Sequence, residues 1–176
     1  MVFLVDILKI SLPLAVALGA VFLIIKRYLD SKQNLRLIKE NAKQRTNALA
    51  LRLQACERMV LFCERIAPPT LLLRLRTEAM TANDLKSAMI LAIQQEWEHN
   101  LTQQIYLSGE LWQILDLAKN EVSAFISLAA KGVSTTAPSI ELANEIFAKA
   151  EEHNSLTILE KAKAAIRHEA RSALGL

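Results

Sequence analysis

The sequence predicts an all-α protein, with an N-terminal transmembrane helix followed by an antiparallel bundle of five or six helices. Three observations carry that prediction. Residues 10–25 are uncharged and end at Lys26-Arg27. Beyond that run glycine is confined to Gly109, Gly132 and Gly175, and proline to Pro68, Pro69 and Pro138. Apolar residues then recur at three- and four-residue spacing, without the long apolar/polar alternation of a half-buried strand. The expected division is a transmembrane anchor over 1–29, a basic juxtamembrane helix or connector over 30–48, and a cytoplasmic helical-bundle domain over 49–176.

As a helix, residues 10–25 cover about 24 Å, somewhat less than the roughly 30 Å hydrocarbon core, so the flanks must contribute. Met1 to Leu8 is apolar except for Asp6, which pairs with Lys9 at i,i+3, and Lys9 is long enough to snorkel. Tyr28 and Leu29 extend the other end to an interfacial aromatic. Pro13 frees a carbonyl near Lys9 and places a kink or a helix start there. A cleaved signal peptide is the rival reading, because Ala15-Val16-Ala17 has the spacing a signal peptidase accepts. Against it, Val21-Phe22-Leu23-Ile24-Ile25 continues the apolar run, and the preceding segment has one lysine offset by one aspartate. A helix buried in a soluble core fits a continuous run with a basic border less well.

Charge asymmetry orients the anchor. Residues 26–45 hold seven basic side chains (Lys26, Arg27, Lys32, Arg36, Lys39, Lys43, Arg45) against Asp30 and Glu40, a net +5. Only Lys9 and the amino terminus stand on the other side, so the positive-inside rule places the N-terminus outside and the domain in the cytoplasm, at the inner membrane. Residues 46–176 carry thirteen basic and fifteen acidic side chains, so the overall +3 is a membrane-proximal collar and no nucleic-acid footprint. The collar is drawn to anionic headgroups at about 1 kcal/mol per basic residue near the surface, although setting topology already explains it. Cys56 and Cys63 lie about 10 Å apart along one helix, too far to bridge, and free thiols suit a reducing compartment.

The first long helix of the domain runs towards Ile66. Leu49, Leu53, Cys56, Val60 and Cys63 form its stripe at 4-3-4-3 spacing, with Ala55, Met59, Phe62 and Ile66 on the adjoining side. The echo of Cys56-Glu57-Arg58 in Cys63-Glu64-Arg65 turns thiols inward and ion-pairing groups outward, as in packing against a neighbouring helix. Pro68-Pro69 ends that helix and opens a short one, Thr70 to Arg76, whose Leu71, Leu72, Leu73 and Leu75 are expected to be covered. Thr81-Ala82-Asn83-Asp84 is a capped start. The apolar positions Leu85, Met89, Ile93, Trp97, Leu101 and Ile105 carry the helix so begun, and Ser108-Gly109 breaks or caps it. The next presents Leu111, Ile114, Leu115, Ala118, Val122, Phe125, Ile126 and Ala129 and stops at Lys131-Gly132. Residues 133–139 form the clearest linker. Ile140, Ala143, Ile146, Phe147 and Ala150 then mark one helix, Asn154-Ser155 a break, and Leu159, Ala162, Ile166 and Ala170 a last helix that frays near Gly175. Short loops between such helices give an antiparallel bundle.

Residues 96–106 contain the densest cluster of hydrogen-bonding side chains. Glu96, Asn100 and Gln103 share one helical face, with His99 at its edge. Glu96-x-x-His99 is also half of the paired ligand set of di-iron helical bundles. A second Glu-x-x-His is missing: His153 and His168 follow Ala150 and Ala165 by three positions. Glu96 and His99 are therefore weak metal candidates, and a polar stripe that holds register or faces water is the plainer reading. Trp97, Asn100, Gln103, Tyr106 and Trp112 form the alternative, a partner-binding surface. No glycine-rich phosphate loop, Gly-x-Ser-x-Gly elbow or Cys/His nucleophile pair occurs, so no cofactor, small-molecule substrate or catalytic set is identified.

Leu51 to Ile66, Leu71-Leu72-Leu73-Arg74-Leu75, Glu98-His99-Asn100-Leu101 and Gln103-Gln104-Ile105-Tyr106 together resemble an uncharacterised family of small bacterial proteins. The resemblance covers most of the chain from the anchor onward. It implies one N-terminal membrane helix bearing a cytoplasmic helical domain, and it brings no activity, ligand or catalytic residue. The family's bulkier residues where this chain has Cys56 and Cys63 argue against thiol chemistry. The sequence thus leads to a non-enzymatic, membrane-anchored interaction or scaffolding module that contacts the bilayer and either another protein or a second copy through its first long helix. A metal protein or enzyme built on Glu96 and His99, and a stalk-like subunit of a larger membrane complex, are the alternatives.

Overall fold

The computed structural model describes residues 26–28, 32, 43–153 and 156–176. The expected membrane span, the signal-peptide alternative, the collar residues Arg36 and Lys39, and the Asn154-Ser155 break lie outside them. Among the described residues, every regular element is helical, and no helix is long and apolar enough to cross a membrane. The chain divides into two compact units, Met1–Ala48 and Leu49–Leu176. Of the first, residues 26–28, 32 and 43–48 are helical and exposed, and Lys32 Nζ lies 4.9 Å from the centre of the Tyr28 ring.

The second unit is an all-α bundle. It comprises α1 (helical residues 49–66), α2 (Pro68–Leu75), α3 (Ala82–Asn100), a 3₁₀ segment (Leu101–Ile105), α4 (Gly109–Ala130), α5 (Ser139–His153) and α6 (Leu156–Leu174). α3 packs on α4 and α5, and α4 on α5 and α6. Arg52 pairs with Glu169, and Glu64 with Lys163, which sets α1 antiparallel to α6. Ser108, ahead of α4, binds Glu169 near the far end of α6, so these two are antiparallel as well.

The helix starts follow local chemistry. Pro68 and Pro69 occupy the first turn of α2, where their missing N–H groups cost nothing. Thr81 and Asp84 form a capping box: Thr81 Oγ1 accepts from the Asp84 N–H at 3.2 Å, and the Thr81 N–H donates to Asp84 Oδ2 at 3.1 Å. The Thr81 hydroxyl also donates to Asp84 Oδ2 at 2.7 Å, and this bond, then that from the Thr81 N–H, holds the Asp84 carboxyl below its ordinary value. Ser108 Oγ accepts from the Leu111 N–H and caps α4.

Residues 133–139, expected as a linker, are instead fastened to the start of α3. Ala82 N–H donates to Ala137 O at 2.8 Å, and Ser139 N–H to Met80 O at 3.0 Å. Ser139 is buried, and its hydroxyl donates to Thr77 O. A Cβ at Gly132 would meet Glu145 Oε1 at 2.9 Å, the movable end of a side chain that a small shift would clear.

The core centres on Met59, Phe62, Ile66, Leu71, Leu85, Met89, Ile93, Leu115, Ile126, Leu142, Ile146 and Ile166, all fully buried. Three expectations shift. In α1 the buried line runs through Ala55, Met59, Phe62 and Ile66 with both cysteines, while Leu49, Leu53 and Val60 are only half-buried, because both α3 and α6 sit against this helix. Ala55, Met59, Phe62 and Ile66 are thus covered within the domain, while Leu51 and Leu61 of the same helix stand 44% and 57% exposed. Leu73 of α2 is 89% exposed, on the side of its helix opposite Leu71 and Leu72. In α5, Leu142 fills the core, whereas Ile140 and Phe147 stand about half exposed.

The Glu96 cleft and the α4–α6 groove

α3 carries two chemically different faces near its C-terminal end. On one, Trp97 is only 7% exposed. Its ring lies 5.5 Å from Phe62 of α1 and 4.4 Å from Trp112 of α4, centroid to centroid, and Lys119 Nζ sits 4.6 Å above it. Asp116 holds that ammonium at 2.7 Å. Trp97 is therefore a packing residue where three helices meet, and of the expected partner surface only Gln103, Tyr106 and Trp112 reach solvent, each in part.

Asn100 is also interior, at 6% exposure, and its Nδ2 donates to Glu96 O at 2.7 Å. A side chain that bonds back to the carbonyl four residues earlier competes with the helix ladder. α3 ends there and tightens into the 3₁₀ segment, so Gln103 leaves the face shared by Glu96 and Asn100. Leu101 and Ile105 lose the α-helical register for the same reason and are exposed, Ile105 at 73%.

On the other face, Glu96 joins three helices. Arg65 Nη1 of α1 reaches its two oxygens at 3.3 and 3.2 Å, and Arg74 Nη1 of α2 reaches Oε1 at 3.1 Å. With Gln95, His99, Leu75 and Ala92 these groups line an open cleft of about 360 Å³. His99 is the only other metal-ligating side chain in that lining, and among the described residues no group of three or more His, Cys, Asp or Glu is placed to hold a metal. Glu96 has two guanidinium partners instead.

A larger groove, about 880 Å³, runs between α4 and the start of α6. Leu117, Ala124, Phe125, Leu128 and Ile158 give it an apolar lining. Leu117 is 52% exposed and Leu128 45%, eleven residues apart on α4. Glu121, Lys131 and Lys161 also line it. Sequence reasoning missed this groove. Its signal was the excess of apolar residues on α4, where Leu117, Ala124 and Leu128 lie beside the inward stripe.

The thiols are inert in this setting. Both cysteines are free and buried, burial pushes the Cys63 thiol up to about 12, and burial, then the Glu169 charge, raises Cys56.

The chain belongs to a family of unknown function (DUF7935), whose match spans residues 2–173. No curated protein and no solved structure matches the chain. The family match takes in the N-terminal segment together with the whole bundle, so cleft, groove and basic collar fall inside its bounds, and it assigns no activity to any of them.

Proposed function

We propose that the chain is a non-enzymatic, single-pass protein of the bacterial inner membrane, whose helical domain works on the cytoplasmic side as an interaction or scaffolding module. The membrane part of this reading rests on the uncharged run at 10–25 and on the +5 collar over 26–45. The interaction part rests on one observation, the apolar groove between α4 and α6. Leu117 and Leu128 stand about 16 Å apart along the axis of α4, three helical turns, which is the reach of the anchors of an amphipathic helix laid in a groove. Lys131 and Lys161 against the single Glu121 leave its lining net positive. The occupant is accordingly an amphipathic helix of another protein, with acidic residues flanking its apolar stripe.

Photo-crosslinkers at Leu117 and Leu128 of the full chain in native membranes, read by mass spectrometry, test this. The expected result is a crosslink to one apolar, acid-edged helix, lost with Leu128→Asp. A partnerless monomer would overturn the interaction reading, and a crosslink between two copies would replace its partner. Protease accessibility in sealed inverted vesicles tests the orientation separately. A metal or enzyme reading through Glu96 and His99 is less favoured because Glu96 is already held by two arginines. The many-helix core argues against a stalk, which needs no such interior.

A further inference from the structure

The cleft at Glu96 holds more positive charge than its carboxylate neutralises. One arginine balances one carboxylate, yet Arg65 and Arg74 converge on Glu96 from different helices. Their remaining guanidinium N–H groups have no other side-chain acceptor among the described residues, and neither do Gln95 and His99, which face the same cleft. Surplus charge, donors without acceptors and a concave wall of about 360 Å³ coincide at one place.

We infer that this cleft binds a small oxyanion, a phosphate or carboxylate group, between Arg65 and Arg74. A guanidinium presents its N–H groups as a planar fork that matches either group with two parallel hydrogen bonds. Glu96 is 14% exposed and holds Nη1 of each arginine before a ligand arrives, which removes part of the side-chain freedom otherwise lost on binding. Gln95 and His99 add further donors at the wall. The plain alternative is a three-helix clamp with no ligand. The two differ in what an added anion does.

The test uses the full chain in zwitterionic nanodiscs, with histidines carbon-labelled for NMR. Only three histidines occur, so His99 is assigned by His99→Gln. Inorganic phosphate and succinate are titrated separately at constant ionic strength. A saturable shift of the His99 signal is expected for at least one of them, with the Kd raised at least about tenfold in Arg74→Gln. Glu96→Gln, which removes the competing negative charge, is expected to bind several-fold more tightly. Saturation by phosphate alone identifies a phosphate ligand, and by succinate alone a carboxylate. Arg74 is partly exposed, so its variant keeps the fold, which circular dichroism verifies. The absence of saturation with either anion, or equal Kd values in wild type and Arg74→Gln, overturns the inference.

Discussion

Replacing Trp97 by Ala tests whether this residue is interior packing or a partner contact. The ring is nearly covered, it touches Phe62 and Trp112, and it carries the Lys119 ammonium over its face. Removing a buried tryptophan side chain costs about 3–5 kcal/mol. Each aromatic neighbour adds about 0.5–1.5 kcal/mol beyond buried area, and a partly desolvated cation–π contact a similar amount, so the upper end of the range applies here. Against a total stability of about 5–15 kcal/mol, a loss near 4–5 kcal/mol leaves the domain marginal. With a urea slope of about 2 kcal/mol per M, the midpoint falls by about 2 M. Urea unfolding of the full chain in detergent, followed by circular dichroism, measures this. Trp97→Phe retains most of the apolar volume and is expected to cost about 1–2 kcal/mol. Trp97 and Trp112 are the only tryptophans, so their stacking predicts a coupled near-ultraviolet signal that vanishes in either single Phe variant. A Trp97→Ala variant less than about 1 kcal/mol from wild type would refute the packing argument, as would two tryptophan signals that simply add.

The thiols offer a pH test: the raised Cys63 value means that the unfolded chain releases a proton above about 9, which the folded chain retains until about 12. Stability therefore falls with rising pH across that window, by about 1.4 kcal/mol per unit at most, and Cys63→Ser removes this component of the slope. A thiol reagent at pH 8 is expected to label neither cysteine until the domain unfolds. Thr81→Ala removes the α3 cap and should cost about 1 kcal/mol by urea unfolding. Because Asp84 is held below its usual carboxylate value, its part of the cap is present at neutral pH and is lost as pH falls through that lowered value, so the gap between wild type and Thr81→Ala narrows in acid. Leu117→Asp and Leu128→Asp alter half-exposed groove residues; both should fold within about 0.5 kcal/mol of wild type while abolishing groove crosslinks.

Helix ends were largely legible in the sequence, because caps and breakers act locally. Thr81, Asp84, Ser108, the paired prolines and Lys131-Gly132 all sit where short-range chemistry puts them. The α4 stripe was equally readable, since its buried residues repeat at helical period on one side. What periodicity left open was the direction from which a helix is covered. α1 has two apolar flanks, and only the placement of α3 and α6 makes Met59, Phe62 and Ile66 its deepest line. Trp97 carries the same ambiguity, because a large aromatic suits either a binding surface or a core. Beyond Asn100 the apolar spacing stayed helical on paper, but the back-bonded amide changed the geometry under it. The Arg65–Glu96–Arg74 convergence depends on three helices and carries no sequence spacing of its own. The same holds for the α4–α6 groove, which exists only once these two helices lie side by side.

Glu169 has a consequence for how the domain comes together. It accepts the Ser108 N–H at 2.8 Å and the Ser108 hydroxyl, and it pairs with Arg52, partners 61 and 117 residues earlier in the chain. Contacts across such separations form late, after the entropy of closing long loops has been lost. The start of α4 and the flank of α1 therefore acquire their last polar partners in a single event, the arrival of α6. Until then the Lys163 tie to Glu64 is also missing, and the two cysteines are open on that side. Docking of α6 thus completes the polar ties of α1 and of the start of α4 together. The thiols, inert in the finished domain, report chemically on every chain that has not yet reached it.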